Sequence, residues 1–198
     1  MIYNLFPTAV GHYNIDRKLT KTEKKFLVEL EKKENEGNKT SSDHYVLGSP
    51  KLSKLKGFLE DSLKEYIDQT INPVESNELY VTQSWVNYTK EGEYHHKHTH
   101  SNSIVSGVFY VDTVPDRDRI NFFKDGYSTI KPETKDWNSY NSESWWYETK
   151  PGDLYLFPSS LPHSVFTVPK GKTRISLSFN TFIRGSVGVD SDLTELKL

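Results

Sequence analysis

The sequence predicts a mainly β fold with flanking helices, of the sandwich or jelly-roll type. Three observations carry this. From Leu79 onward, short runs rich in Val, Ile, Tyr, Phe and Thr alternate with turn signals. Upstream, two stretches place Leu and Phe at helical spacing. With 198 residues the chain is long enough to bury one core, and 13% aromatics argue against disorder.

Taken in order, "NLFPTAVGHYNI" reads as an opening strand bounded by Pro and Gly. "LTKTEKKFLVELEKKENEG" reads as a helix capped at Thr20 or Thr22, with Glu23 in its first turn. Phe26, Leu27 and Leu30 lie on one face, and Gly37 is the stop. "SPKLSKLKGFLEDSLKEYIDQTI" repeats the pattern with Leu52, Leu55, Leu59, Leu63 and Ile67, and Pro73 closes it. Both stripes are read as faces packed on a sheet. "LYVTQSWVNYT", "SIVSGVFYVD", "RINFF", "DLYLF", "HSVFTV" and "RISLSFNTFI" then read as strands.

Residues 124–147 interrupt that rhythm with a long polar and aromatic stretch, which suggests a lid with Trp137, Trp145 and Trp146 as contacts. The alternative is a long hairpin pinned to the core by those tryptophans. The expected organisation is a single domain, 1–198. Residues 1–76 supply an N-terminal strand and supporting helices, 78–185 the β core, and 186–198 a C-terminal tail.

Net charge is −2, with no block of like charges, so no nucleic-acid partner is expected. The absence of cysteine removes disulfides, thiolate ligands and cysteine nucleophiles. No apolar run reaches the roughly 18 residues that a membrane helix needs. The N-terminus lacks a basic, apolar leader, and a cytoplasmic location is expected.

Four of the seven histidines lie in "YHHKHTHSNS", residues 94–103. The stretch is internal and interrupted, unlike an expression tag. In an extended strand, residues two apart share a face, so His98 and His100 would stand side by side. His96 shares their parity and His95 does not. A third ligand must come from elsewhere, and His163 is the one histidine downstream. In "KTRISLSFNTF", Arg174, Ser176, Ser178 and Asn180 share one face, and Ile175, Leu177 and Phe179 the other. If the polar face lines a barrel lumen, Arg174 lies near the histidines. A guanidinium there is suited to gripping a carboxylate through two parallel hydrogen bonds, with Ser176 as a further donor.

His98-Thr-His100, then His163, then Arg174-Ile-Ser176 resembles the iron(II)- and 2-oxoglutarate-dependent oxygenases. A bacterial and phage branch of that superfamily is similar in "LFPTAV", "SWVNYTKEGEYHHKHTHSNSIVSGVFYV" and "PGDLYLFPSSLPHSV…RISLSFN". The resemblance covers residues 5–10 and most of 84–180. It implies a double-stranded β-helix (jelly roll) with Fe(II) on His98, His100 and His163. It also implies 2-oxoglutarate as co-substrate, its distal carboxylate held by Arg174 and Ser176. O2 would be consumed as 2-oxoglutarate is split to succinate and carbon dioxide, with oxidation of a further substrate, in the simplest case by hydroxylation. Asn87, Tyr110 and Asn180 are implied as pocket neighbours.

The wider superfamily has a carboxylate where this chain has His100. A ligand set containing Asp112 or Glu93 therefore stays open beside three histidines. An imidazole there leaves the site one unit more positive. Two other readings share the fold: a cupin-type three-histidine metalloenzyme without 2-oxoglutarate, and a non-catalytic binding or virion-associated protein. Partners would be 2-oxoglutarate and a peptide or small-molecule substrate, with a second copy of the chain as a further candidate. If the chain is phage-encoded, the compartment would be the host cytoplasm. "PKGKTR" is no phosphate loop, because Phe166 stands where the motif needs glycine.

Overall fold

The computed structural model describes residues 1–74, 77–114, 117–126, 130–169 and 171–198. Residues 127–129 of the expected lid, and the expected boundary at residue 76, lie outside the described residues.

Strand β1 (Gly11–Asn14) is followed by helix α1 (Lys21–Glu29). Thr20 caps α1 through a full capping box: its hydroxyl accepts from the Glu23 N–H at 3.1 Å, and the Glu23 carboxylate accepts from the Thr20 N–H at 2.7 Å. The helix stops at Glu29 rather than running to Gly37. Beyond Leu30 the sequence "EKKENEGNKT" offers no apolar residue with which to bury a helical face. It folds instead as a hairpin of β2 (Lys32–Asn35) and β3 (Asn38–Ser41), with Gly37 at φ 81° in the two-residue turn. Two short 3-10 turns lead into helix α2 (Ser53–Thr70).

The remaining strands are β4 (Glu78–Thr89), β5 (His95–His98), β6 (Val105–Asp112), β7 (Arg119–Phe123), β8 (Ser144–Glu148), β9 (Asp153–Pro158), β10 (His163–Val165) and β11 (Arg174–Arg184). A small ladder of β12 (Ser186–Val187) and β13 (Leu196–Lys197) ends the chain, where the sequence suggested only a tail. Residues 144–147, expected in the lid, pair with β7 as part of β8; Trp145 and Trp146 therefore sit on a sheet edge.

The described residues form a seven-stranded sheet, ordered β1-β9-β6-β11-β4-β3-β2, and a four-stranded sheet, ordered β5-β10-β7-β8. The strand pairings within both are antiparallel. Alternation along the large sheet's strands separates two cores. Val86, Tyr88, Phe109, Val111, Leu154, Leu156, Ile175, Leu177 and Phe179 pack on Leu55, Leu59, Leu63 and Ile67 of α2. Each fully buried Leu side chain contributes about 1.5–3 kcal/mol. On the opposite face, Val108, Tyr110, Tyr155 and Phe157 meet Ile120 and Phe122 of the small sheet. This is a jelly roll with helices on one side, and the polar residues of β11 point between its sheets.

Candidate metal centre

His98 ends β5 and stands directly opposite His163, the first residue of β10. The ring centroids are 4.3 Å apart for His98 and His163, 4.9 Å for His98 and His100, and 5.1 Å for His100 and His163. One ligand nitrogen from each ring lies within 4.8 Å of the others. Metal–nitrogen bonds of about 2.1 Å place two ligand atoms on one ion no more than about 4 Å apart, so small ring movements close the set.

His100 does not reach the group by strand alternation. The strand ends at His98, and His100 is held by its backbone N–H donating to the Ser159 carbonyl at 2.9 Å. Asp112 is turned to the solvent side, where it meets Lys24 at 3.3 Å. The Glu93 carboxylate accepts from the Lys90 N–H at 2.8 Å. Among the described residues, the three histidines are the one group of metal-ligating type that converges.

The rings are also prepared as ligands. Nδ1 of His98 contacts the His96 carbonyl at 2.8 Å, and Nδ1 of His163 contacts the Leu161 carbonyl at 3.0 Å. A carbonyl oxygen only accepts, so each Nδ1 carries the hydrogen and each Nε2 keeps its lone pair. Burial first, and then the neighbouring His98, hold His100 down to about 4 and His163 down to about 3. His98 is lowered as well, chiefly by burial. At neutral pH all three present a neutral imidazole, the form that binds metal.

Each ring has an aromatic neighbour. Phe157 packs on His163 at 4.7 Å, and Trp85 lies 5.7 Å from His100. His95 stacks on His98 at 4.5 Å with the planes 22° apart. Simple alternation puts His95 on the other face. The register shifts between the pairs His163–His98 and Val165–His95: three residues of β5 advance against two of β10. That bulge turns His95 onto the face of His98.

The facing wall belongs to the large sheet. Ser176 of β11 is in register with Asn87 of β4 on one side and Tyr110 of β6 on the other, so three of the expected residues form one row. Arg174, 3% exposed, lies one pair further along the same face. Its Nη1 donates to Asp118 Oδ1 at 3.1 Å, and it approaches the Phe166 carbonyl at 3.5 Å. Burial works against the guanidinium's charge, and Tyr110 and Asp118 oppose that effect. Asp118, buried before β7, was not legible as a site residue; its only signal is an acid two positions before Ile120, on the inward parity.

Arg174 Nη2, the Tyr110 hydroxyl and Asn87 Oδ1 are buried with no hydrogen-bond partner among the described residues. Burial raises the Tyr110 pKa, which keeps its hydroxyl protonated as a donor. Unpartnered buried donors are costly. Two of them at a buried arginine and tyrosine suit an anionic group with oxygen acceptors. Asn87 Nδ2 donates to Ser178 Oγ at 3.0 Å. Asn180 is committed elsewhere: its Oδ1 accepts from Ser106 Oγ at 2.9 Å, in a network that continues to Ser159 and Ser103.

Residues 83–180 match the model of a family described as "Putative 2OG-Fe(II) oxygenase". No curated protein matches the sequence. Among solved structures, similar ones include a 2OG-Fe(II) oxygenase family oxidoreductase from Burkholderia pseudomallei (11% identity, 87% of this chain and 83% of that one, TM-score 0.61). HygX from Streptomyces hygroscopicus, solved with nickel, 2-oxoglutarate and hygromycin B, has 12% identity, 88% and 82% coverage and a TM-score of 0.61. The non-heme α-ketoglutarate-dependent epimerase SnoN from nogalamycin biosynthesis has 14% identity, 90% and 81% coverage and a TM-score of 0.62. These structures share the double-stranded β-helix. Residues 83–180 thus carry the match to the 2OG-Fe(II) oxygenase family model, and the fold around them is the one those solved structures have.

No helix among the described residues is long and apolar enough to cross a membrane.

Proposed function

We propose that this chain is an iron(II)- and 2-oxoglutarate-dependent dioxygenase, acting as one domain, that oxidises a peptide or small-molecule substrate, with hydroxylation the simplest outcome. The observation that carries the proposal is the pairing of the histidine triad with a buried arginine whose Nη2 has no partner among the described residues. His98, His100 and His163 would hold Fe(II). Arg174 Nη2 and the Tyr110 hydroxyl would donate to the distal carboxylate of 2-oxoglutarate, with Ser176, in register with Tyr110, as a further donor. When bound, the metal and co-substrate supply the oxidising power, drawn from O2 as 2-oxoglutarate is converted to succinate and carbon dioxide.

The protein's own contribution is positional. Asp118 fixes the guanidinium through Nη1, which leaves Nη2 to aim at the ligand. The Leu161 and His96 carbonyls fix two imidazole tautomers. Phe122 and Phe157 pack beside His163 and exclude water from that side. Three neutral ligands leave the full charge of the divalent ion, which favours a dianionic co-substrate.

Anaerobic titration with Fe(II) and 2-oxoglutarate tests this. The native chain should develop a visible charge-transfer band and, in air, release succinate. His163→Ala should lose metal, and Arg174→Ala should keep metal and lose 2-oxoglutarate. Metal uptake with no 2-oxoglutarate binding or turnover would favour the cupin-type reading. Uptake of neither would favour a binding protein.

A further inference from the structure

We infer that His95 is a positioning residue for the metal centre: its ring is the face against which His98 is set. The inference rests on the reading of His98 as a metal ligand and goes beyond it, because nothing in a three-ligand site requires a fourth histidine.

The argument starts from what orients an imidazole. One hydrogen bond at Nδ1 fixes a single ring atom and leaves the plane free to tilt about it. A second contact, on the face of the ring, is needed before Nε2 has one direction. His163 has both, the Leu161 carbonyl at 3.0 Å and the ring of His100, 30° from parallel at 5.1 Å. His98 has the His96 carbonyl at 2.8 Å. Its most nearly parallel aromatic neighbour is His95, at 4.5 Å and 22°. His96 meets His98 at 49°, His163 at 54° and His100 at 83°. Those three tilted contacts do not present a flat face to the ring.

The backbone is built for this contact. Without the register shift between β5 and β10, His95 would lie on the opposite face from His98 and could not touch it. Bulges beside active sites re-aim side chains in this way. The converging group nevertheless leaves His95 out: it lies beside His98 and outside the nitrogens that meet. His95 therefore supports a ligand without being one.

The test is anaerobic binding of Co(II) to the full chain, with the visible d–d bands as a second readout of coordination geometry. His95→Ala should weaken binding by about 10- to 100-fold, as loss of a ligand-orienting neighbour does, and broaden or shift the bands. His95→Phe keeps a flat ring of similar size and should restore both. Melting of the metal-free proteins shows whether either variant has lost its fold. Three results would overturn the inference: unchanged affinity and bands in His95→Ala, restoration by His95→Gln but not by His95→Phe, or bands in His95→Phe that report one nitrogen fewer. If the native chain itself takes up no Co(II), the functional reading fails at its root. If the native chain binds and His95→Ala binds equally well, only the role of His95 is lost.

Discussion

Arg174 and Asp118 form an ion pair that uses only one end of the guanidinium: Nη1 meets Oδ1 at 3.1 Å, with the side chains 3% and 1% exposed. Asp118 is itself anchored, since its other oxygen accepts from the Val114 N–H at 2.8 Å. Removing one member leaves the other charge buried and unpaired. Asp118→Ala should therefore cost about 3–5 kcal/mol of stability. Urea denaturation measures this, and Asp118→Asn, which keeps a hydrogen-bonding side chain of the same shape, should lose less.

The free Nη2 predicts a ligand effect on melting. In the presence of metal, 2-oxoglutarate at about 100 times its Kd should stabilise the native chain by about 2.7 kcal/mol. At the same concentration, Arg174→Ala should show almost none of that gain. Tyr110→Phe removes one donor and keeps the ring, so it should retain part of it. Differential scanning calorimetry with and without 2-oxoglutarate separates the three, and equal gains in all of them would remove Arg174 from the co-substrate site.

Glu23 couples the first helix to pH. Arg17 grips its carboxylate with two contacts of 2.8 Å and, with the Thr20 hydrogen bonds, holds its pKa down at about 2. A carboxylate lowered in the folded state stabilises fully above its unfolded value of 4.5 and ceases to do so as pH falls through about 2. The contribution is of the order of 3 kcal/mol. Denaturation midpoints should fall between about pH 5 and pH 2, and Glu23→Gln should flatten that part of the curve.

Gly107 marks a close approach. A Cβ there would run into the ring of Phe179, the residue opposite it on β11. Phe179 is fully buried against the helix layer and has no room to retreat. Gly107→Ala should cost about 1–3 kcal/mol by overpacking. Gly57→Ala, at a position where an added Cβ meets nothing within 4 Å, is the control and should be neutral or stabilising.

Much of this architecture was legible before any coordinates. The alternation of Arg174, Ser176 and Ser178 with Ile175, Leu177 and Phe179 reads directly as two faces, because a strand's period is a property of the backbone. The Thr20 cap reads equally well, since capping is local. The convergence of His98, His100 and His163 was also legible, although alternation does not account for His100: a hydrogen bond to Ser159 holds its backbone beyond the end of the strand. The β2–β3 hairpin was misread as helix because Lys and Glu fit either state, and the choice falls to pairing with β4, far along the chain. His95 and Asp118 were missed for a related reason. Their roles come from a register shift and from a partner 56 residues away, and neither leaves a periodic trace.

The first strand has a consequence for how the molecule assembles. β1 pairs with β9, Gly11 opposite Leu156, so the edge of the large sheet joins segments that emerge from the ribosome far apart in time. Closing such a loop precedes any gain from the contact, which makes pairings of this kind slow. Until β9 is made, β1 has no ladder to join, and until β1 arrives, β9 carries an open edge. The chain therefore passes through a stage in which the β9 edge is still open to pairing with a neighbour.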